Sequence, residues 1–188
     1  MKKKLIAAAV LMCLAAAAFL LLDTIPVYPD FHKTAASMEA LRQVLGTEKI
    51  QYPTALEETL TERSYRLELD GRTAFSKARG YVIDGTETYE NVQIHYVLCG
   101  STAPSDAAQA GEQTEYRGVT IGVLHYGETA DQTVLEFSLG GGAYRLKARI
   151  DSDMAAQLSE EQRAALAARE EEALMEACRR MIDDALTA

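Results

Sequence analysis

Tryptophan is absent from the 188 residues, and histidine and cysteine each occur only three times. These shortages close off whole classes of chemistry. His32, His95 and His125 are too few and too scattered for a catalytic or metal-ligating set to be argued from them. The patterns C-x-x-C, H-E-x-x-H, G-x-S-x-G and the phosphate loop are all missing, which removes the common redox, zinc, hydrolase and nucleotide readings. Basic residues are also in deficit, 19 Lys and Arg against 28 Asp and Glu, for a net charge of −9. An acidic surface repels phosphate polymers, so no nucleic acid is expected as a partner.

Cysteine usage says little more. Cys13 falls in an apolar run, with Met12 where a lipoprotein acceptor needs a small residue. Cys99 and Cys178 do not make a disulfide framework, and a chain of this size has no need of one. A single bridge between them and two separate core thiols both remain open.

What is present is concentrated at the start. Lys2, Lys3 and Lys4 precede an uncharged apolar run from Leu5 to Leu22, which ends at Asp23. As a helix the run spans about 27 Å, close to the hydrocarbon core of a bilayer at about 30 Å. The lysines set the orientation, with the N-terminus cytoplasmic. A cleaved signal peptide has the same start, but the small-x-small pairs within Ala15 to Ala18 are followed by Phe19 and three leucines. The expected organisation is therefore a cytoplasmic basic tail (1–4), a transmembrane anchor or signal peptide (5–22), a linker (23–33) and an extracytoplasmic α+β domain (34–188). That localises the chain to the cell membrane as a single-pass protein.

Beyond the linker the pattern is first helical. Thr34 is placed to cap a helix carrying Met38, Leu41, Val44 and Leu45, with Gly46 at its end. Residues 54–62 fit a short helical turn. Strand alternation then takes over at Tyr65 to Leu69, Thr73 to Ile83, Val92 to Leu98, Val119 to Tyr126, Val134 to Leu139 and Tyr144 to Ile150, with turns expected at Asp70-Gly71, Asp84-Gly85 and Gly140 to Gly142. Residues 100–115 hold no aliphatic side chain larger than Ala and read as a loop. Ser159 to Gln162 fits a capping box, and Leu166, Leu174, Cys178, Met181, Ile182 and Ala185 trace one face of a long last helix whose front half is thin enough to project. The fold class expected is α+β: an antiparallel sheet of about five or six strands with the C-terminal helix on one face, preceded by the transmembrane helix.

Each polar cluster has a bland alternative that outweighs its chemistry. His95 and Cys99 share a strand face but lie about 13 Å apart, so a Cys-His nucleophile would have to recruit His125 from another strand. Asp151-Ser152-Asp153 has calcium-loop spacing without the Gly or the distal Glu, and reads as a turn into the last helix. Glu57-Glu58 and Glu170 to Glu172 read as solvated helix faces. No catalytic, cofactor-binding or metal residue is assigned, and the chain is expected not to be an enzyme and to need no cofactor.

The order of elements resembles a known family. A short helix (Ser37 to Leu45), then I-x-Y-P (Ile50, Tyr52, Pro53), V-x-I-x-Y (Val92, Ile94, Tyr96) and L-x-F-x₆-Y-x-L (Leu135, Phe137, Tyr144, Leu146) precede a C-terminal helix. This is similar to the uncharacterised exterior domains of Gram-positive single-pass membrane proteins, the anti-sigma-factor-like ones among them. The Trp that those domains often carry in the penultimate strand is missing. The resemblance implies an extracytoplasmic domain and brings no catalytic residues. The function expected is a non-enzymatic cell-envelope protein that binds a peptide, protein or envelope ligand through a tyrosine-rich sheet. An assembly subunit pairing through the C-terminal helix, and a secreted hydrolase or ligand carrier, are the rivals.

Overall fold

Alternation of apolar and polar side chains puts every second residue on one side of a strand, so a half-buried sheet is written as a period of two. Val92, Ile94, Tyr96 and Leu98 obey that rule and are all buried, whereas Gln93, His95, Val97 and Cys99 between them are not. The computed structural model describes residues 33–46, 50–70, 76–102, 111–126 and 132–187. Its elements run β1 (Lys33–Ala35), α1 (Met38–Leu45), α2 (Thr54–Thr59), β2 (Thr61–Leu69), β3 (Ala78–Tyr89), β4 (Val92–Ser101), β5 (Glu112–Tyr116), β6 (Val119–Tyr126), β7 (Gln132–Leu139), β8 (Gly142–Ile150), α3 (Ser152–Ala155) and α4 (Glu160–Thr187).

The chain divides into two units, one of Met1–His32 with Leu69–Lys77 and one of Lys33–Glu68 with Ala78–Ala188. In the first, the Asp70 amide donates to the Lys77 carbonyl and the Asp70 carboxylate accepts from the Lys77 amide. The second holds the core. Its strands form one sheet in the order β1-β2-β3-β4-β8-β7-β6-β5, and every pair whose register is described is antiparallel.

One side of this sheet is covered. Helix α1 rests on β1 and β3, α2 on β3 and α4, and α4 on β7 and β8. Leu166, Leu174, Ala177, Cys178, Met181 and Ile182 of α4 are buried there with Ile94, Tyr96, Leu98, Ile121, Leu135, Leu146 and Ile150 from the strands. The helix is capped as a reciprocal box: Ser159 Oγ accepts from the Gln162 amide at 3.2 Å and Gln162 Oε1 accepts from the Ser159 amide at 2.9 Å. Its front half does not project, because Leu166 and Glu170 are both buried.

The fold expected from the sequence is corrected on two points. The sheet has eight strands instead of five or six. The two extra strands are the edges: β1 begins at the last residue of the supposed linker and takes in Thr34, and β5 takes up the end of the supposed loop 100–115 and Tyr116 after it. Neither carries an aliphatic side chain larger than Ala, so neither shows a hydrophobic signal. They are held instead by backbone pairing, Lys33↔Leu67 to Ala35↔Tyr65 and Glu112↔Val123 to Tyr116↔Val119. The second point is the membrane and signal-anchor reading. Among the described residues no helix is long and apolar enough to cross a membrane, and the expected span, 5–22, lies outside them.

Two local boundaries also move. Ser37, not Thr34, caps α1, accepting from the Ala40 amide at 3.2 Å. Strand β3 runs straight through Asp84-Gly85, and its hairpin turns at Glu90-Asn91, where φ values of 49° and 69° give the left-handed backbone conformation by which a two-residue turn matches the right-handed twist of its strands. Gly85 is in the strand for a different reason: a Cβ there would stand 2.7 Å from Leu60 Cδ1.

Candidate functional site

Four of the nine tyrosines are taken up by the core. Tyr52, Tyr81, Tyr96 and Tyr144 are buried on the helix-covered side. Tyr52 and Tyr81 stack at 5.0 Å between centroids, and Phe137 stacks on Tyr144 at 5.1 Å. Tyr81 donates to the Gln51 carbonyl at 2.8 Å, and the Gln51 amide donates to Tyr144 Oη at 2.9 Å. Burial raises all four phenols, and it pushes Tyr52 up to about 12. The I-x-Y-P segment is thus a structural clasp across the top of the sheet.

The acidic clusters are not wholly the solvated faces expected from the sequence, since Glu57 and Glu170 are buried. Glu57 is buried, paired with Arg63 at 2.9 Å and hydrogen-bonded by Tyr65. Asp151 Oδ1 accepts from the amides of Asp153 and Met154, so Asp151 to Asp153 is a turn opening α3. Cys99 and Cys178 are both free thiols. Cys99 points to the helix-free side of the sheet and Cys178 is in the core on the other. Burial pushes Cys99 up to about 11, with Glu68 and Asp84 adding to it, and pushes Cys178 up to about 12, so neither is a ready thiolate. Registers Cys99↔Arg145↔Glu136↔Gly122 and Thr133↔His125 put His125 on the face opposite Cys99, which separates that pair for good.

One constellation was invisible in the sequence. Thr133 Oγ1 lies 3.5 Å from His125 Nδ1, and His125 Nε2 lies 3.5 Å from a Glu171 carboxylate oxygen. This has the order of a nucleophile, base and orienting acid. Thr133 is wholly buried, however, so no substrate carbonyl can reach its hydroxyl. The three residues tie β6, β7 and α4 together. Among the described residues no group of three His, Cys, Asp or Glu stands close enough to hold a metal ion.

Recesses line α4. A cavity of about 310 Å³ opens between the β3–β4 hairpin and the head of α4, floored by Val92, Leu158 and Leu166. Its cation is already engaged: Arg169 bonds Glu87 and lies 4.0 Å over the Tyr89 ring. The outer surface of α4 beyond it alternates Glu172, Glu176 and Arg179 around small alanines.

The larger feature is the other side of the sheet, on which no described helix packs. Pairing fixes three rows across its middle: Val82, Cys99, Arg145, Glu136 and Gly122; Asp84, Val97, Lys147, Val134 and Leu124; Thr86, His95, Arg149, Gln132 and Tyr126. With a fourth row from Gly80 to Ser138, five strands at about 4.8 Å and rows about 6.8 Å apart give a patch of roughly 600 Å². It is mixed in character, with half-buried Val82, Val97 and Leu124 between charged side chains and Tyr126 half exposed at one corner. A shallow depression of about 210 Å³ lies at one end, lined by Glu68, Cys99, Glu136 and Arg145 among others. The chain matches no protein-family model, and neither a curated protein nor a solved structure matches it.

Proposed function

We propose that the chain is a non-catalytic binding domain that takes a segment of a partner protein across the helix-free face of its sheet. The observation that carries this reading is the face itself: an open sheet surface of roughly 600 Å² and mixed polarity, near the about 800 Å² that each side of a standard protein interface buries. An open sheet face favours a polypeptide over a small molecule, which needs a deep concavity to bury most of its surface. The sheet edges are poorer candidates. β1 is three residues long, and β5 carries exposed Glu112 and Glu115, charges that discourage strand addition. The C-terminal helix offers little to pair with, since its apolar face is spent on the sheet.

A photoreactive residue in place of Val97, on the helix-free face, tests this against one in place of Ala165, on the outer surface of α4. In cells that make the full chain, position 97 should yield one discrete protein adduct and position 165 none. Absence of a protein adduct at 97, or equal adducts at both, defeats the reading.

A further inference from the structure

We infer that the segment bound by the helix-free face is acidic, and that Lys147 and Arg149 are the residues that recognise it. This rests on the reading of that face as a binding surface. Among the described residues several cations form no ion pair, Lys33 and Lys77 included, so what sets Lys147 and Arg149 apart is their place two residues apart on β8 in the middle of this face. The other basic groups there have an acidic neighbour. Arg66 pairs with Asp84 at 2.6 Å, Arg145 pairs with Glu136, and His95 lies 3.9 Å from Asp151. Among the described residues, Lys147 and Arg149 form no ion pair and no side-chain hydrogen bond.

Register gives the reason. Lys147 is flanked directly by Val97 and Val134, and Arg149 by His95 and Gln132. The acids of the neighbouring rows, Glu136 and Asp84, are held by Arg145 and Arg66, and Asp151 is turned into the opening of α3. Glu68 lies beside Gly80, at the far end of the face from Arg149. Arg145, Lys147 and Arg149 therefore stand in file along β8 with one of the three charges compensated, a repulsion that the free protein retains and a bound anion relieves.

The spacing also has a match. Residues i and i+2 of an extended chain project from the same side about 6.8 Å apart, the same interval that separates Lys147 from Arg149 along β8. An extended segment with acids two residues apart can set one carboxylate on each cation. A carboxylate held by Arg149 also gains the fork geometry of a guanidinium. Half-buried Val97 and Leu124, in the same row as Lys147, supply apolar contact for the side chains around those acids.

The probe is a fluorescein-labelled peptide of alternating Asp and Val, titrated with the full-length chain and followed by anisotropy. Binding should weaken steeply with added salt. The double variant Lys147→Glu/Arg149→Glu should bind at least tenfold more weakly, and reversal of Arg179 and Arg180 on α4 should change nothing. Should the charge reversal unfold the protein, Lys147→Gln/Arg149→Gln replaces it, with about a threefold loss expected. Binding indifferent to both double variants, or no binding, overturns the inference, as does tighter binding to a single-stranded oligonucleotide or to phosphatidylserine vesicles. If the peptide fails while the Val97 adduct persists, the face still binds a protein and only its acidic preference is lost. If both fail, both readings go.

Discussion

The two sides of this sheet are built from the same strands and carry opposite assignments. On the covered side Tyr81, Ile83, Ile94, Leu98, Ile121, Leu135 and Leu146 are essentially inaccessible, and three helices complete the layer. On the other side no described helix packs. Only small or flat-lying groups such as Ala143, Val134 and Glu136 reach full burial, and long charged side chains stand out of the surface. Stability is concentrated in one layer, which leaves the other free to vary without unfolding the protein.

The contrast is broken or sharpened most strongly by truncation. Leu146→Ala, at the centre of the covered side, should lower unfolding stability by about 2–5 kcal/mol in a denaturant titration. Val97→Ala, one strand away on the other side, should lower it by less than about 1 kcal/mol because less area leaves contact. Equal losses would show that something covers both sides.

The two thiols allow a comparison by pH. Both folded-state values lie above the ordinary 9.0, reaching about 11 for Cys99 and about 12 for Cys178, mainly because burial disfavours the thiolate. Above about pH 9 the unfolded chain releases protons that the folded one keeps, so stability falls as pH rises, by about 1.4 kcal/mol per pH unit for each thiol. The fall from Cys99 should end near pH 11 and that from Cys178 near pH 12. Cys178→Ala should make the stability–pH curve less steep from about pH 9 to about pH 12, and Cys99→Ala only up to about pH 11.

Close approach is expected to count at Gly100 on the covered side. A Cβ on Gly100 would lie 2.5 Å from the Tyr81 ring, so Gly100→Ala should cost about 1–3 kcal/mol in thermal unfolding, while Thr88→Ala on the exposed side stays within about 0.5. Ser159→Ala removes one half of the α4 capping box and should cost about 1 kcal/mol, with loss of helical signal at the start of that helix. Smallest of all, Lys147→Gln and Arg149→Gln should leave the melting temperature nearly unchanged, since neither side chain holds a partner.

Much of this layering could be read from residues alone. Tyr144, Leu146, Ala148 and Ile150 mark a buried row, and the capping box at Ser159 marks where the last helix starts. The edges could not be read, because β1 and β5 owe their existence to backbone pairing with a neighbour and their side chains are short or polar. The turn of the β3–β4 hairpin was misplaced because Asp84-Gly85 has turn chemistry, whereas Gly85 serves to admit Leu60 and Glu90-Asn91 makes the turn. The candidate surface was half legible. Arg145, Lys147 and Arg149 alternate visibly in the sequence, but their isolation from acids depends on β4 and β7 lying on either side of β8. That adjacency joins segments far apart in the chain, and no local pattern encodes it. Tyrosine content misled for a related reason, since composition does not say which face an aromatic ring turns to.

The strand order itself has a consequence for how the molecule comes together. It amounts to two four-stranded meanders laid side by side, β1 to β4 and β5 to β8, welded along the single junction from Ile94↔Ile150 to Ser101↔Ala143. All other strand neighbours are consecutive in the chain, and all but β1 and β2, which are joined through α1 and α2, close short connections, so each meander can assemble early and locally. The weld must come late. The file of cations on β8 therefore acquires its two flanking rows, and with them its character as a surface, only when the last seam shuts.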